Sequence, residues 1–157
     1  MHRTLVALCL VAFSHAQTSG SAQTAVLATV HQFVDGFNQG DTKTLLAACA
    51  DQTSILDEFP PHEWHGSGAC AKWASEFDAD AKKNGITDAV VTLRNPSHVD
   101  VTADRAYVVI PANYTFKQKG KPVSEVGSII TLASKRANPV GESPDGHGQN
   151  IRRGQVA

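Results

Sequence analysis

The sequence has 157 residues, a formal net charge of -1 and a pI near 6.6. A chain of this length fits one domain of ordinary size. Because it presents no excess of positive charge to a phosphate backbone, the composition argues against nucleic-acid binding.

The first residues have the pattern of a secretory signal peptide. His2 and Arg3 give a positive start, residues 4–13 are mostly apolar, and Ser14-His15-Ala16 offers a cleavage site between small residues. We therefore predict a signal peptide over residues 1–16, a linker over 17–23, and a secreted or periplasmic location; the alternative is a buried N-terminal helix. No other stretch approaches the roughly 20 apolar residues that span a bilayer, so no membrane association is expected after removal of the signal.

Three helices are predicted in the first half of the chain. Residues 24–38 carry apolar side chains at helical spacing, and Gly40 ends this helix. Asp41 is the predicted N-cap of a short second helix that holds Leu45, Leu46 and Cys49. Ser67 is the predicted N-cap of a third helix through Asn84, and Gly85 ends it. Its core-facing residues are predicted to be Cys70, Trp73, Ala74, Phe77 and Ala81.

The strands follow a different period. Ser54 to Phe59 is predicted as a strand that ends at Pro60-Pro61 and leads into a loop, because proline cannot donate to a ladder. After Gly85, alternating residues predict strands over 89–93, 98–101, 106–117 and 123–133, with intervening turns. Helices followed by an antiparallel meander predict an α+β domain whose helices cover one face of a curved sheet.

Three segments carry a family resemblance: Gln39-Gly40-Asp41, Ile55-Leu56-Asp57 and Trp64-His65-Gly66. With the order of elements, they resemble the nuclear transport factor 2-like superfamily from about residue 24 to residue 134. The resemblance implies a cone-shaped antiparallel sheet covered by three N-terminal helices, and a SnoaL-like domain over residues 24–137. The superfamily contains polyketide cyclases, steroid isomerases, dehydratases and many binding domains, and many members form homodimers through the open sheet face.

Asp57 is the main catalytic candidate. It ends the first predicted strand, where the resemblance implies a pocket, and apolar neighbours surround it, as suits a general base. Its position and its spacing to Gly66 are similar to those of the proton-abstracting aspartate of steroid isomerases. The tyrosine of those enzymes falls on Phe33, and no acid lies in residues 126–134, so the donors of an oxyanion hole are missing and steroid isomerase activity is not expected. The alternative role of Asp57 is to hydrogen-bond a loop or a helix start.

His62 and His65 are candidates to assist Asp57, although loop histidines in solvent are the commoner case. Their spacing is not that of the HExxH zinc motif, so we predict no metal and no cofactor. The predicted ligand is a small apolar or aromatic molecule. The residues predicted to contact it are Phe33, Trp64, Trp73, Tyr107, Asn113 and Tyr114, with Trp73 alternatively a simple core residue. Asn113 with Tyr107, or Tyr114 alone, would face the interior, because neighbouring strand residues alternate.

Removal of the signal peptide would leave two cysteines, Cys49 and Cys70. They lie on the second and third predicted helices, which pack together in the superfamily. A disulfide between them is one expectation, and two buried free thiols are the other.

Residues 138–157 have no strand pattern and are rich in Gly, Pro, Gln and Arg. One interpretation is a disordered tail. The other is a shifted reading frame, because codons for Asn138 to Gln149 exist whose neighbouring frame encodes SGWRVTGWTWA, a strand of the type that closes this fold. The nucleotide sequence distinguishes the two.

From these observations we predict an exported SnoaL-like domain that binds a small molecule. The alternatives are a proton-transfer enzyme, such as a cyclase, isomerase or dehydratase with Asp57 as its base, and a structural dimerisation module.

Overall fold

The structure, a computed structural model, describes residues 16–135. Their order of elements is α1 Ala16–Gln39, α2 Thr42–Ala47, β1 Gln52–Leu56, β2 Glu63–Ser67, α3 Ala69–Asn84, β3 Ile86–Leu93, β4 His98–Thr102, β5 Arg105–Gln118 and β6 Lys121–Lys135. The predicted α+β class is confirmed, with α1 and α3 packed against a curved antiparallel sheet. Residues 1–15 of the predicted signal peptide and the predicted tail over 138–157 lie outside the described residues.

The first two helices form a tight hairpin. Asp41 caps α2 as predicted, since its side chain accepts a hydrogen bond from the Thr44 amide at 3.1 Å. Gly36 allows α1 and α2 to approach each other closely, because a Cβ added there would lie only 2.5 Å from the backbone nitrogen of Leu45. Helix α1 begins at Ala16 rather than at Thr24, so residues 17–23 are helical where a linker was predicted. Within this helix, the Thr24 hydroxyl donates a hydrogen bond to the Gly20 carbonyl oxygen.

The main sheet is three strands wide, with β5 in the middle. Strand β5 is 14 residues long and pairs with β6 along one edge. Along its other edge it pairs with β3 and then with β4, so these two short strands lie end to end instead of beside each other. Asn95-Pro96 lies between the predicted strands 89–93 and 98–101, where a turn was expected, and in the structure it joins two strands that continue along the same edge of β5. The Arg94 and Ser97 amides still reach β5 carbonyls, each at 2.9 Å.

The strand β2 was not predicted, since the sequence indicated a loop there. It pairs with β1 in a separate two-stranded sheet, in which Trp64 lies opposite Ile55. The predicted Ser67 cap of α3 is wrong, because Ser67 is the last residue of β2. The N-cap is Gly68, which has a φ of 75° and no side chain to accept a hydrogen bond. Gly85 ends α3 as predicted.

Two apolar clusters hold the layers together. In the first, Val30 of α1 packs against Val108 and Ile110 of β5. In the second, Trp64 and Trp73 pack with Leu45, Ala69 and their neighbours, joining α2, α3 and the β1–β2 hairpin. Burial of such side chains contributes about 1.5–3 kcal/mol each. Within residues 16–135, no helix is both long and apolar enough to cross a bilayer.

Candidate functional site

A cavity of about 1020 Å³ lies between the helices and the concave face of the sheet. Its walls come from α1, α3, the end of β1, and the facing strands β5 and β6. The volume exceeds the range of about 300–1,000 Å³ that is usual for ligand sites. The fold therefore holds open a space that its own side chains do not fill.

Aromatic side chains form a continuous part of the wall. The Trp73 and Phe77 rings stack with centroids 5.8 Å apart, and the Phe33 ring lies 5.5 Å from that of Trp73. Phe37 meets Phe77 edge-on at 5.1 Å and lies 6.4 Å from Tyr114. Phe33, Trp73 and Tyr114 are thus three of the predicted ligand contacts that line the cavity. Each ring presents an apolar face suited to a flat ligand.

The disulfide between Cys49 and Cys70 is present, in agreement with the first of the two expectations. It joins the segment after α2 to the first turn of α3, and both cysteines line the cavity. The bond therefore restrains the wall of the site.

Asp57 follows directly after β1 and lines the cavity. Its Oδ2 accepts a hydrogen bond from Nε1 of Trp73 at 2.8 Å, and its Oδ1 accepts one from the Glu58 amide at 2.7 Å. Both carboxylate oxygens therefore have a protein donor. Each oxygen keeps a further lone pair for a ligand, since an ionised carboxylate offers about four acceptor positions.

Tyr114 projects into the same cavity from β5. Its hydroxyl oxygen is buried and has no hydrogen-bond partner among the described residues. Burial, and then the negative charges of Glu125, Asp57 and Glu58, raise the pKa of Tyr114 to about 12. The phenol is therefore protonated at neutral pH and retains both a donor and an acceptor. A buried polar group without a partner costs about 1–3 kcal/mol, which a ligand could recover by bonding to it.

Glu58 and Glu125 add two more carboxyl groups to the wall. Glu125 lies directly opposite Tyr114 in the pairing of β5 with β6, so both side chains share the concave face. Desolvation, and then the charge of Glu58 and a hydrogen bond with its side chain, raise the pKa of Glu125. Neither glutamate was predicted from the sequence to be a site residue.

The two histidines lie apart from the cavity wall. His62 is exposed, with a φ of 77°, and its Nδ1 lies 3.3 Å from the backbone oxygen of Asp57 rather than from the carboxylate. The His65 ring is bonded to the Ser54 hydroxyl at 2.9 Å and lies 3.2 Å from the Glu63 carboxylate. Neither imidazole is arranged to act with the Asp57 carboxylate.

Three predicted contacts also lie elsewhere. Trp64 is buried in the cluster beneath β2, where its Nε1 donates to Glu76 at 2.6 Å. Tyr107 and Asn113 lie on the opposite face of β5 from Tyr114, and Tyr107 is half exposed beside His98. Of the two alternatives for β5, it is therefore Tyr114 alone that faces the cavity.

The charge of the cavity wall has one sign. Its ionisable side chains, apart from Tyr114, are Asp57, Glu58, Asp80 and Glu125, and the described wall contains no Lys, Arg or His. No group of three or more His, Cys, Asp and Glu side chains in residues 16–135 is arranged to hold a metal ion.

Comparison with known proteins identifies the fold. The sequence matches no protein-family model and no curated protein. Among solved structures, a proposed dehydratase of the nuclear transport factor 2-like family from Streptomyces avermitilis is similar, with a TM-score of 0.56, 20% identity, and coverage of 74% of this chain and 88% of that chain. A nuclear transport factor 2-like protein of unknown function from Pseudomonas putida KT2440 has a TM-score of 0.56 and 11% identity, covering 88% of this chain and 87% of that chain. Both share the fold of the present chain.

Proposed function

We propose that this chain, which has the nuclear transport factor 2-like fold, binds a small organic molecule in its cavity. The observation that carries the proposal is the buried Tyr114 hydroxyl, which has no hydrogen-bond partner among residues 16–135 and belongs to the wall of a cavity of about 1020 Å³ with aromatic side chains. A ligand that hydrogen-bonds to this hydroxyl and covers the aromatic faces would give the hydroxyl a partner and would remove the apolar wall from water.

The test uses two matched variants of β6. Ser128 lies opposite Ala112 on the concave face, whereas Ser124 lies opposite Thr115 on the other face. We expect the neutral fluorescent probe N-phenyl-1-naphthylamine to bind the unmodified protein, with enhanced and blue-shifted emission. Ser128→Trp, which fills the cavity, should abolish the enhancement, and Ser124→Trp should retain it. Equal enhancement in both variants would place the probe elsewhere and contradict the proposal.

A proton-transfer enzyme is the second candidate, and the location of Asp57 in the wall beside Tyr114 favours it. Such an enzyme would use the Asp57 carboxylate to remove a proton, and the protonated Tyr114 hydroxyl could donate to the resulting oxyanion. Asp57→Asn would then abolish turnover and its pH profile while leaving affinity for the neutral probe within about threefold. If the unmodified protein binds its ligand but shows no turnover, the enzyme candidate is ruled out and only the binding function remains.

We also propose that the protein is exported. The signal-peptide pattern of residues 1–16 supports this location, and so does the disulfide, since disulfides persist mainly in oxidising compartments. Processing at Ala16 in the native host, followed by mass spectrometry of the mature N-terminus, tests it. An unprocessed chain in the cytoplasm would contradict export and would leave the cavity argument unchanged.

A further inference from the structure

We infer that the ligand of this cavity is an organic cation, specifically an ammonium group attached to an apolar or aromatic body. The inference rests on the binding function proposed above and adds the chemical class of the ligand. Three independent features of the wall support it: its charge, its aromatic faces and the acceptor at Tyr114.

The charge is the first feature. Asp57, Glu58, Asp80 and Glu125 all line the cavity, and no basic side chain lines it within the described residues. None of the four forms a salt bridge in the part of the chain that the structure describes. The whole chain has a net charge of only -1, so this excess of negative charge is local. A cleft of one sign between walls of low dielectric attracts ligands of the opposite sign.

The aromatic wall is the second feature. The faces of an aromatic ring carry negative electrostatic potential and attract cations within about 6 Å of the ring centre. The rings of Phe33, Phe37 and Phe77 each lie within 6.3 Å of the Trp73 ring, measured between centroids. Trp73 donates a hydrogen bond through Nε1 to Asp57. The indole and the carboxylate are thereby held side by side. An ammonium group could contact both at once.

The Tyr114 hydroxyl is the third feature. Its oxygen is buried and has no hydrogen-bond partner in the part of the chain that the structure describes, and Glu125 lies directly opposite on β6. An ammonium N–H can donate to this oxygen and, from the same position, to a neighbouring carboxylate. An anionic ligand would meet carboxylates instead, and a neutral one would leave their charges without a counter-charge. The wall therefore selects against negative ligands and favours positive ones.

Three probes that differ only in the head group test the inference. 2-Naphthylmethylammonium, 2-ethylnaphthalene and 2-naphthylacetate share one aromatic body and carry a positive, a neutral and a negative group. We expect calorimetry or naphthalene fluorescence to show the cation binding about tenfold more tightly than the neutral probe, with the anion weakest.

Two variants locate the effect. Glu125→Gln and Glu58→Gln each replace one acidic group of the wall with a neutral amide, and each should weaken the cation severalfold while changing the neutral probe less than about twofold. Glu63→Gln is the matched control, because Glu63 is exposed on β2 and does not line the cavity. Circular dichroism confirms that each variant is folded. Retained cation affinity in both wall variants would overturn the inference.

The probes separate the two proposals. Equal or tighter binding of 2-ethylnaphthalene would overturn the cationic ligand and leave small-molecule binding intact. Failure of all three probes to bind at millimolar concentration would overturn the binding function itself, and the cationic ligand with it.

Discussion

Loss of the Cys49–Cys70 disulfide should destabilise the protein by about 3 kcal/mol. The two cysteines are 21 residues apart in the sequence, and the chain-entropy relation gives about this value for a loop of that length. With a urea dependence of about 1–3 kcal/mol per molar, the unfolding midpoint should fall by about 1–3 M. This is a large fraction of the stability of an ordinary domain. Because both cysteines line the cavity, affinity for the neutral probe should fall as well.

The assay is urea unfolding of the oxidised protein, with and without a reductant, followed by tryptophan fluorescence. The double variant Cys49→Ser, Cys70→Ser is the control, and its midpoint should not respond to the reductant. Alkylation and mass spectrometry of the oxidised protein under denaturing conditions should leave both cysteines unmodified. Midpoints that agree within error before and after reduction of the bond, or free thiols at both positions, would contradict this stabilising role of the disulfide.

Three further predictions follow from the wall and from the outer sheet face. Tyr114→Phe removes a buried hydroxyl that has no partner within residues 16–135, so the ligand-free protein should be as stable or up to about 1 kcal/mol more stable in urea, while affinity for the ammonium probe falls. The pKa of Glu125 is raised on folding, so its contribution to stability is fully present below its unfolded pKa and is lost as pH rises through the folded pKa. Glu125→Gln should therefore be more stable than the unmodified protein at neutral pH, by less than about 1 kcal/mol, and this advantage should vanish in acid; an advantage that grows in acid would contradict the sign. Val126 is 75% exposed on the outer sheet face, and we expect light scattering to show a dimer that Val126→Glu converts to a monomer.

The fold was largely predictable where a local pattern determines the structure. The apolar stripe of α1 and the Asp41 cap need only neighbouring residues, and both were correct. Strand β2 was missed because Trp64 is its only large apolar residue, so the sequence shows no repeated apolar position even though burial alternates along the strand. These residues form a strand because they pair with β1, and the five residues of β2 do not by themselves indicate that pairing. The position of Gly68 in the left-handed region likewise depends on how the chain leaves β2.

The site was predicted in part for the same reason. Asp57 could be identified because it follows an apolar strand, and Tyr114 because it shares a face with small residues on β5. Glu125 could not be identified, because regular alternation along β6 would place its side chain on the other face of the strand from Ser128 and Ile130, which face the cavity. The structure has a β-bulge at Gly127, where φ is 93°, and the bulge turns Glu125 to the same face as Ser128. Alternation in the sequence does not reveal a bulge, although a glycine within a strand is a signal for one.

The β1–β2 sheet and the main sheet are separate, and this separation allows a physical test of the hypothesis that the tail comes from a shifted reading frame. Within the described residues, β6 pairs only with β5, and β1 pairs only with β2, so each has an edge without a neighbouring strand. Unpaired edges of this length favour association with other strands. In the sequence SGWRVTGWTWA, apolar and polar residues alternate in WRVT and again in WTW, with a glycine where the phase changes, and the segment could pair with the open edge of β6.

We therefore expect a chain that carries SGWRVTGWTWA after Ala137, in place of the present tail, to unfold at higher urea concentration and to aggregate less. A scrambled segment of the same composition is the control, since it supplies the same apolar area without the alternation. The added strand would lie beside β6 and leave Glu58, Glu125 and Tyr114 on the wall, so preference for the ammonium probe should persist. Equal stability of the ordered and scrambled chains would show that the β6 edge does not accept this strand. The nucleotide sequence across the codons for residues 137–149 would then decide only the origin of the tail.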